Sequence, residues 1–211
     1  MINTKYYKLE RCEMTSLLPE KYFTVLEIGC GEGNFRNNLT KKNEYWGVEL
    51  VDSAGKIAAQ KLDHVLIGPY EELSNQIPDN YFDLVICNDV IEHMTDHDCF
   101  FQSIKNKIST NGFLIASIPN VRYHKNLYNL LIHKDWKYVD QGILDKTHMR
   151  FFTKKSILRT VVNHGFIVEE CIGINDSWYK NFLDRCIYFA SRKILGEDIK
   201  YLQFGIRLKK P

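Results

Sequence analysis

The sequence predicts an α/β fold built on a doubly wound, mostly parallel sheet with an antiparallel edge. Two observations support this prediction. Short apolar runs typical of strands alternate with helical patterns along the whole chain. One of these runs, at 25–28, leads directly into a turn that holds three alternate glycines. Ligands of such sheets bind beyond the carboxyl ends of the strands, so functional residues are expected where strands end.

The predicted elements alternate as this fold requires. The strands are predicted at 25–28, 45–50, 65–67, 81–87, 113–118, 166–171 and 202–208. The helices are predicted at 5–18, 34–42, 52–62, 100–108, 153–162 and 177–195. The apolar stripe on 177–195 leaves two interpretations open, a packed helix or a surface for peripheral membrane association.

The composition is typical of one domain, because 45% of the 211 residues are hydrophobic and can form a full core. We predict a single domain over 1–211, within which the long aromatic and polar stretch 119–152 forms a lid over the substrate. The net charge of +2 is too small to attract nucleic acid strongly, so no stable nucleic-acid complex is expected.

Several features predict a cytoplasmic protein. No apolar run is long enough to span a membrane, and the first residues lack the apolar stretch of a secretory signal. The six cysteines form no regular disulfide framework.

The glycine turn consists of Gly29, Gly31 and Gly33. Glycines at these positions let the backbone turn sharply and approach a ligand closely, although a turn without a ligand remains an alternative. Glu49 ends the next predicted strand. A carboxylate there can accept hydrogen bonds from both ribose hydroxyls of a nucleoside.

A second group of polar residues follows the strand 81–87. Asp89, Glu92 and His93 share one face if a helical turn begins there, and His148 lies in a later loop. Two carboxylates and two imidazoles can hold a divalent cation or move a proton. Alternatively, Glu92 and His93 cap a helix, and His148 forms a hydrogen bond within the lid.

The segment from Glu27 to Gly33, E-x-G-x-G-x-G, resembles the first motif of class I S-adenosylmethionine-dependent methyltransferases. This resemblance implies a Rossmann-like sheet of seven strands, S-adenosylmethionine as methyl donor and S-adenosylhomocysteine as product. Pro69 replaces the aspartate that is usual after the third strand, so backbone groups, Tyr70 or Glu71 are expected to contact the adenine. The implied cofactor-binding residues are Glu27, Gly29, Gly31, Gly33, Glu49, Leu50, Tyr70, Glu71 and Asn88.

The run FDLVICNDVIEHM resembles the fourth motif of the ubiquinone-pathway O-methyltransferases and of the small-RNA 3′-terminal 2′-O-methyltransferases. That resemblance implies that Asp89, Glu92, His93 and His148 coordinate Mg²⁺, Mn²⁺ or Zn²⁺. Asp89 stands where a glutamate is usual. His93 and His148 are also the candidate catalytic bases.

Residues 113–168, with the pattern L-D-x-T-H-x-R-F-F-T, resemble methyltransferases of bacterial surface-glycan and capsule clusters. The lid is then expected to line an acceptor pocket, with aromatic rings stacked on sugar faces and Arg150 facing an anionic group. The candidate substrate-binding residues are Asn120, Tyr123, Trp136, Tyr138 and Arg150.

The sequence thus predicts O-methylation of a sugar or of a nucleotide-linked surface-glycan precursor, by a monomer or homodimer. Two alternatives stay open. One is metal-assisted O-methylation of an RNA 3′ end or of a quinone or phenolic molecule. The other is a non-catalytic subunit that binds the cofactor, because a fold alone does not establish activity.

Overall fold

The computed structural model describes residues 6–40, 42–176 and 182–211. The described residues form one sheet of seven strands. The strands are β1 (Thr24–Ile28), β2 (Glu44–Glu49), β3 (His64–Ile67), β4 (Phe82–Asn88), β5 (Ile108–Pro119), β6 (Ile167–Asp176) and β7 (Tyr201–Lys209).

The strand order is β3-β2-β1-β4-β5-β7-β6. Strands β1 to β5 are mutually parallel, whereas β7 runs antiparallel to both β5 and β6. This topology confirms the predicted doubly wound sheet, and the antiparallel strand lies one position in from the edge. The chain order reverses between β1 and β4, which opens a crevice beyond their carboxyl ends.

Six α-helices and several shorter turns connect the described strands. The α-helices are α1 (Asp52–Ala58), α2 (Tyr70–Leu73), α3 (His97–Lys107), α4 (His124–Tyr128), α5 (Lys154–Asn163) and α6 (Phe182–Leu195). The 3₁₀ helices are Tyr6–Lys8, Cys12–Leu17, Asn34–Asn38, Ser74–Gln76, Ile91–His93 and Glu197–Lys200, and a π-helical turn covers Asn129–His133.

The start of α5 is stabilised by a capping box. The Thr153 hydroxyl oxygen accepts a hydrogen bond from the Ser156 backbone N–H at 3.2 Å, and the Ser156 hydroxyl oxygen accepts one from the Thr153 N–H at 2.9 Å. This reciprocal pair satisfies amides that have no partner within the helix.

Two predicted helices are instead 3₁₀ segments. The predicted helix 5–18 is interrupted at Arg11, whose left-handed φ of 53° breaks the helical path. After the glycine turn, the predicted helix 34–42 is only the 3₁₀ helix Asn34–Asn38.

The predicted helix 177–195 is described from Phe182 onward, and residues 177–181 lie outside the described residues. On α6 the side chains of Phe189 and Ile194 are exposed, so both interpretations of this helix stay open. No helix in the described ranges is long and apolar enough to cross a membrane.

The sheet has a core on each face. Leu84 and Ile86 pack on one side in a cluster with Phe35, while Val85 and Cys87 pack on the other with Phe100. Burial of alternate side chains on opposite faces explains why the β4 sequence is an almost continuous apolar run.

Candidate functional site

The glycine turn adopts the conformation that its sequence predicts. Gly29, Gly31 and Gly33 have φ values of 70°, 54° and 74°, which only glycine adopts readily. A Cβ atom on Gly31 would lie 2.9 Å from the carbonyl oxygen of Tyr7. The turn therefore needs glycine at 31 for two reasons, its left-handed φ and the close approach of another backbone.

Glu49 lies beside this turn, at the end of β2. Its Oε2 accepts a hydrogen bond from the Gly31 N–H at 2.8 Å, and its Oε1 accepts one from the Val51 N–H at 2.9 Å. Burial raises the pKa of the Glu49 carboxyl, and these N–H groups act in the opposite direction. The carboxylate is thereby fixed at the mouth of the crevice.

Glu27 does not line the crevice as the motif suggested. Its carboxyl group is buried and accepts a hydrogen bond from the Tyr45 hydroxyl at 2.8 Å. Burial raises the pKa of Glu27 to about 8. Glu27 thus joins β1 to β2 through Tyr45 inside the protein.

Asn88 ends β4 on the other side of the crevice. Its side chain is buried, yet neither amide atom has a hydrogen-bond partner among the residues that the structure describes. A buried amide without partners is costly unless a ligand satisfies it. Leu50, which follows Glu49, exposes 66% of its surface and provides an apolar contact at the same rim.

The expectation for Tyr70 needs correction. Its ring is buried against Phe100, and its hydroxyl forms a 2.7 Å hydrogen bond with the Ser103 hydroxyl. Tyr70 is the first residue of α2 and packs into the core, so its ring is not available to an adenine. Glu71, the next residue, is exposed.

An N-terminal strap, residues 6–17, covers the glycine turn. The Tyr7 carbonyl oxygen accepts a hydrogen bond from the Glu32 N–H at 3.0 Å, and the Glu10 carbonyl oxygen accepts one from Asn38 Nδ2 at 2.5 Å. Burial, and secondarily the charge of Glu49, raise the pKa of Tyr7. Sequence reasoning missed Tyr7, because these partners are far apart in the chain.

Glu92, His93 and His148 form a second cluster, in which one donor atom from each residue lies within 4.8 Å of the others. The Glu92 side chain is only 1% exposed, and neither of its oxygens has a hydrogen-bond partner among the described residues. Burial, and secondarily the charge of Asp89, raise the pKa of Glu92 well above its usual range. His148 Nε2 lies 4.0 Å from Glu92 Oε1.

The histidine hydrogen bonds determine which ring nitrogen is free. His148 Nδ1 lies 3.0 Å from the Ile143 carbonyl oxygen, and His93 Nδ1 lies 3.2 Å from the Thr147 carbonyl oxygen. Carbonyl oxygens only accept, so both Nδ1 atoms carry the proton and both Nε2 atoms keep a lone pair. Two imidazole nitrogens and a buried carboxylate without partners form a donor set that suits Mn²⁺ or Zn²⁺ and accepts Mg²⁺.

Asp89 is not part of this cluster. Its φ of 55° is left-handed, and the 3₁₀ helix begins only at Ile91, so the expected shared helical face does not form. Its carboxylate forms an ion pair with Arg11 and accepts hydrogen bonds from the Ser117 hydroxyl at 2.8 Å and Gln203 Nε2 at 2.5 Å. These partners hold Asp89 away from a cation.

The predicted lid begins with a structural residue. Asn120 is fully buried; its Nδ2 donates hydrogen bonds to the carbonyl oxygens of Asp198 and Tyr201 at 2.8 and 2.9 Å, and its Oδ1 accepts one from the Arg122 N–H. All of these contacts are within the protein. Asn120 therefore anchors this segment and is not a substrate-binding residue.

The remaining acceptor candidates divide into buried and exposed groups. Tyr123 is buried in a small core with Leu144, which makes it a packing residue. Trp136 is half-buried, with its ring centroid 5.3 Å from that of Phe151. Tyr138 and Arg150 are exposed.

The end of the predicted lid is joined through the backbone to the cluster of Glu92, His93 and His148. The Met149 and Arg150 N–H groups both donate hydrogen bonds to the Glu92 carbonyl oxygen, at 2.8 and 3.2 Å. Arg150 is thereby placed beside the site.

Comparison with known proteins identifies the family. Residues 8–170 match the model of a methyltransferase domain. The chain is 28% identical over 127 residues to a ubiquinone biosynthesis O-methyltransferase of Nitrosomonas europaea, and 25% identical over 160 residues to the enzyme of that name from Aeromonas salmonicida. These matches cover 56% and 72% of this chain, and 52% and 66% of the relatives, so the chain corresponds to about half to two thirds of their length.

The fold is shared with solved structures. A S-adenosylmethionine-dependent methyltransferase from Archaeoglobus fulgidus superposes with a TM-score of 0.66 at 20% identity, covering 99% of this chain and 95% of that one. The chain belongs to the methyltransferase-domain family and shares the fold of this S-adenosylmethionine-dependent methyltransferase.

Proposed function

We propose that the chain is an O-methyltransferase whose acceptor presents two adjacent hydroxyl groups to a divalent cation held by Glu92, His93 and His148. The buried Glu92 carboxyl group, whose oxygens have no hydrogen-bond partner among the described residues, carries this proposal. Burial favours the neutral form of this group, and a cation would supply the charge that stabilises its ionised form.

The cofactor is proposed to lie in the crevice between β1 and β4. The glycine turn lets its backbone approach the bound methionine part, and Glu49 exchanges its amide partners for the ribose hydroxyls. The unsatisfied amide of Asn88 supplies further hydrogen bonds, and the strap with Tyr7 covers the bound nucleoside.

When bound, the cofactor would supply an electrophilic methyl group, and a cation held by Glu92, His93 and His148 would lower the pKa of the acceptor hydroxyl. The residues of the chain align the acceptor oxygen with the methyl group and keep water out. Should the site work without a cation, the free Nε2 lone pairs make His93 and His148 the candidate general bases.

For the acceptor, we propose a sugar with adjacent hydroxyls, as in a surface-glycan precursor. Arg150 is exposed beside the cluster and forms no ion pair within residues 6–40, 42–176 and 182–211, so its guanidinium is available to a phosphate or carboxylate. Exposed Tyr138 and half-buried Trp136 present ring faces of the kind that stack on sugars.

A phenolic ring with adjacent hydroxyls is the second candidate. The relatives from Nitrosomonas and Aeromonas carry the name of a ubiquinone biosynthesis enzyme, which favours this acceptor. Both candidates use the same cation cluster and differ in the ring that the lid contacts.

The cation is tested by calorimetric titration of Mn²⁺ into the native protein and into Glu92→Gln, with Glu72→Gln as control at an exposed position. We expect Glu92→Gln to lose Mn²⁺ binding while its melting temperature stays about the same, because burial already favours the neutral form of the Glu92 carboxyl group and an amide of the same shape is also neutral. Unchanged Mn²⁺ binding by Glu92→Gln would contradict the proposed cluster.

The acceptor is tested by release of S-adenosylhomocysteine with nucleotide sugars and with catechols. Each diol is paired with an analogue that lacks one hydroxyl, and the proposal expects turnover of the diol alone. Methylation of a catechol but of no sugar would establish the second candidate. Absence of turnover with both classes, despite cofactor binding, would favour a non-catalytic subunit.

A further inference from the structure

We propose that Thr147 and Asp145 are positioning residues, which fix the tautomer of His93 and leave its Nε2 lone pair free in the cluster with Glu92 and His148. This inference rests on the proposed function, because it concerns the same donor cluster. It adds two residues that contact neither cation nor acceptor and act through His93.

The first step is the orientation of the Thr147 hydroxyl. This hydroxyl donates a hydrogen bond to Asp145 Oδ1 at 2.7 Å, and the Thr147 backbone N–H donates to the same oxygen at 2.8 Å. The hydroxyl proton is therefore committed to Asp145. The Thr147 oxygen can then only accept from its other neighbour.

That other neighbour is His93. Its Nδ1 lies 3.2 Å from the Thr147 hydroxyl oxygen and 3.2 Å from the Thr147 carbonyl oxygen. Both oxygens are acceptors, so both require the imidazole proton on Nδ1. A neutral histidine in water prefers to carry its proton on Nε2, so this pair of acceptors reverses the intrinsic preference and frees Nε2.

The same turn also orders the other two donors. The His148 backbone N–H donates a hydrogen bond to the Asp145 carbonyl oxygen at 3.0 Å, which closes a tight turn over residues 145–148. The Met149 N–H donates to the Glu92 carbonyl oxygen at 2.8 Å. Residues 145–149 thus contact Glu92 and His93 and contribute His148.

Lys146 belongs to this turn but takes no part in the cluster. Its ammonium group is exposed and pairs with Asp140 at 2.6 Å. The arrangement explains the D-x-T-H pattern: Asp145 orients Thr147, Thr147 orients His93, and His148 supplies a donor. Lys146 provides a matched control, because an exposed ion pair contributes little to stability.

The test compares the native protein with Thr147→Val, Thr147→Ser and Lys146→Ala. Nitrogen-15 NMR of the cation-free protein reports which ring nitrogen of His93 carries the proton. We expect the Nδ1–H form in the native protein, Thr147→Ser and Lys146→Ala. In Thr147→Val, which keeps the shape but loses the hydroxyl, the Nε2–H form should become substantially populated.

Calorimetry with Mn²⁺ supplies the second readout. Loss of a group that orients a metal-binding histidine typically weakens affinity about 10- to 100-fold. We expect this loss in Thr147→Val, recovery to within about threefold in Thr147→Ser, and native affinity in Lys146→Ala.

The two readouts separate the two proposals. If the native protein binds no Mn²⁺ but Thr147→Val raises the Nε2–H population of His93, the cation proposal fails and the positioning of His93 by Thr147 stands. If His93 of the native protein carries its proton on Nε2, the positioning proposal is overturned whatever the cation result. That native measurement can overturn the positioning proposal even if Thr147→Val does not fold. Native Mn²⁺ affinity in a folded Thr147→Val would also overturn it.

Discussion

Arg11 of the N-terminal strap forms an ion pair with Asp89, which follows the last residue of β4. The Arg11 guanidinium also donates a hydrogen bond to the Ser117 hydroxyl at 2.8 Å. The two side chains of the pair are only 12% and 11% exposed, so little water screens their charges. The pair holds the strap over the glycine turn. It also engages the Asp89 carboxylate, which the resemblance at the fourth motif implied as a cation ligand.

We expect Asp89→Asn to leave Mn²⁺ affinity within about threefold of the native value. The same change should lower the free energy of unfolding by about 2 kcal/mol, because Arg11 loses its main partner in a mostly buried place. Calorimetry and urea unfolding measure the two effects. A loss of affinity beyond tenfold, with stability unchanged, would make Asp89 a ligand after all.

Glu49→Gln should weaken S-adenosylhomocysteine binding at least tenfold. The substitution removes charge-assisted hydrogen bonds to the ribose, which typically contribute ~1.5–3 kcal/mol. Calorimetric titration measures the change. Glu72→Gln, at an exposed position on α2, should bind as tightly as the native protein.

A comparison of Gly31→Ala with Gly142→Ala separates the effect of backbone strain from the effect of a steric clash at the new Cβ atom. Both glycines have positive φ, 54° and 91°, but only at Gly31 does a Cβ meet a neighbour, the Tyr7 carbonyl oxygen at 2.9 Å. Each substitution should cost about 1 kcal/mol in backbone strain, measured by urea unfolding. Only Gly31→Ala should also displace the strap and abolish cofactor binding. Equal cofactor affinity in the two variants would show that the close approach to Tyr7 is unimportant.

Glu27 should make the stability of the native protein depend on pH. Its pKa is about 8 in the folded protein against 4.5 as the ordinary value, so between these pH values the folded state holds a proton that the unfolded state releases. This contribution is complete below the unfolded pKa and is lost as pH rises through the folded pKa, with a limiting slope of ~1.4 kcal/mol per pH unit.

Glu27→Gln lacks this titration and can still accept the Tyr45 hydrogen bond. Its free energy of unfolding relative to the native protein should therefore rise steadily from about pH 5 to about pH 8. Urea unfolding at several pH values measures the difference, in which all other titrating groups cancel. Exposed Glu20→Gln serves as control, and parallel curves for Glu27→Gln and the native protein would contradict the assignment.

The parts of the site that the sequence predicted correctly depend on local rules. Alternate glycines after an apolar strand predict a left-handed turn from the chain itself, and the structure has positive φ at all three. The parallel order of β1 to β5 likewise follows from alternating helix and strand patterns.

The wrong expectations concern polar side chains with distant partners. The fate of Asp89 depends on Arg11, 78 residues earlier, and on Gln203, 114 residues later. Asn120 similarly finds its partners about 80 residues away. No local pattern specifies such pairs, so spacing alone could not tell a ligand from an anchor.

The hydrogen bonds from the Met149 and Arg150 N–H groups to the Glu92 carbonyl oxygen have a thermodynamic consequence. An acceptor that displaces residues 149–150 of the predicted lid would also move the backbone of Glu92, whose carboxylate is proposed to hold the cation. Occupancy of the two places is then energetically coupled, and such coupling is reciprocal. If the bound cation changes the affinity for the acceptor by some factor, the bound acceptor changes the affinity for the cation by the same factor.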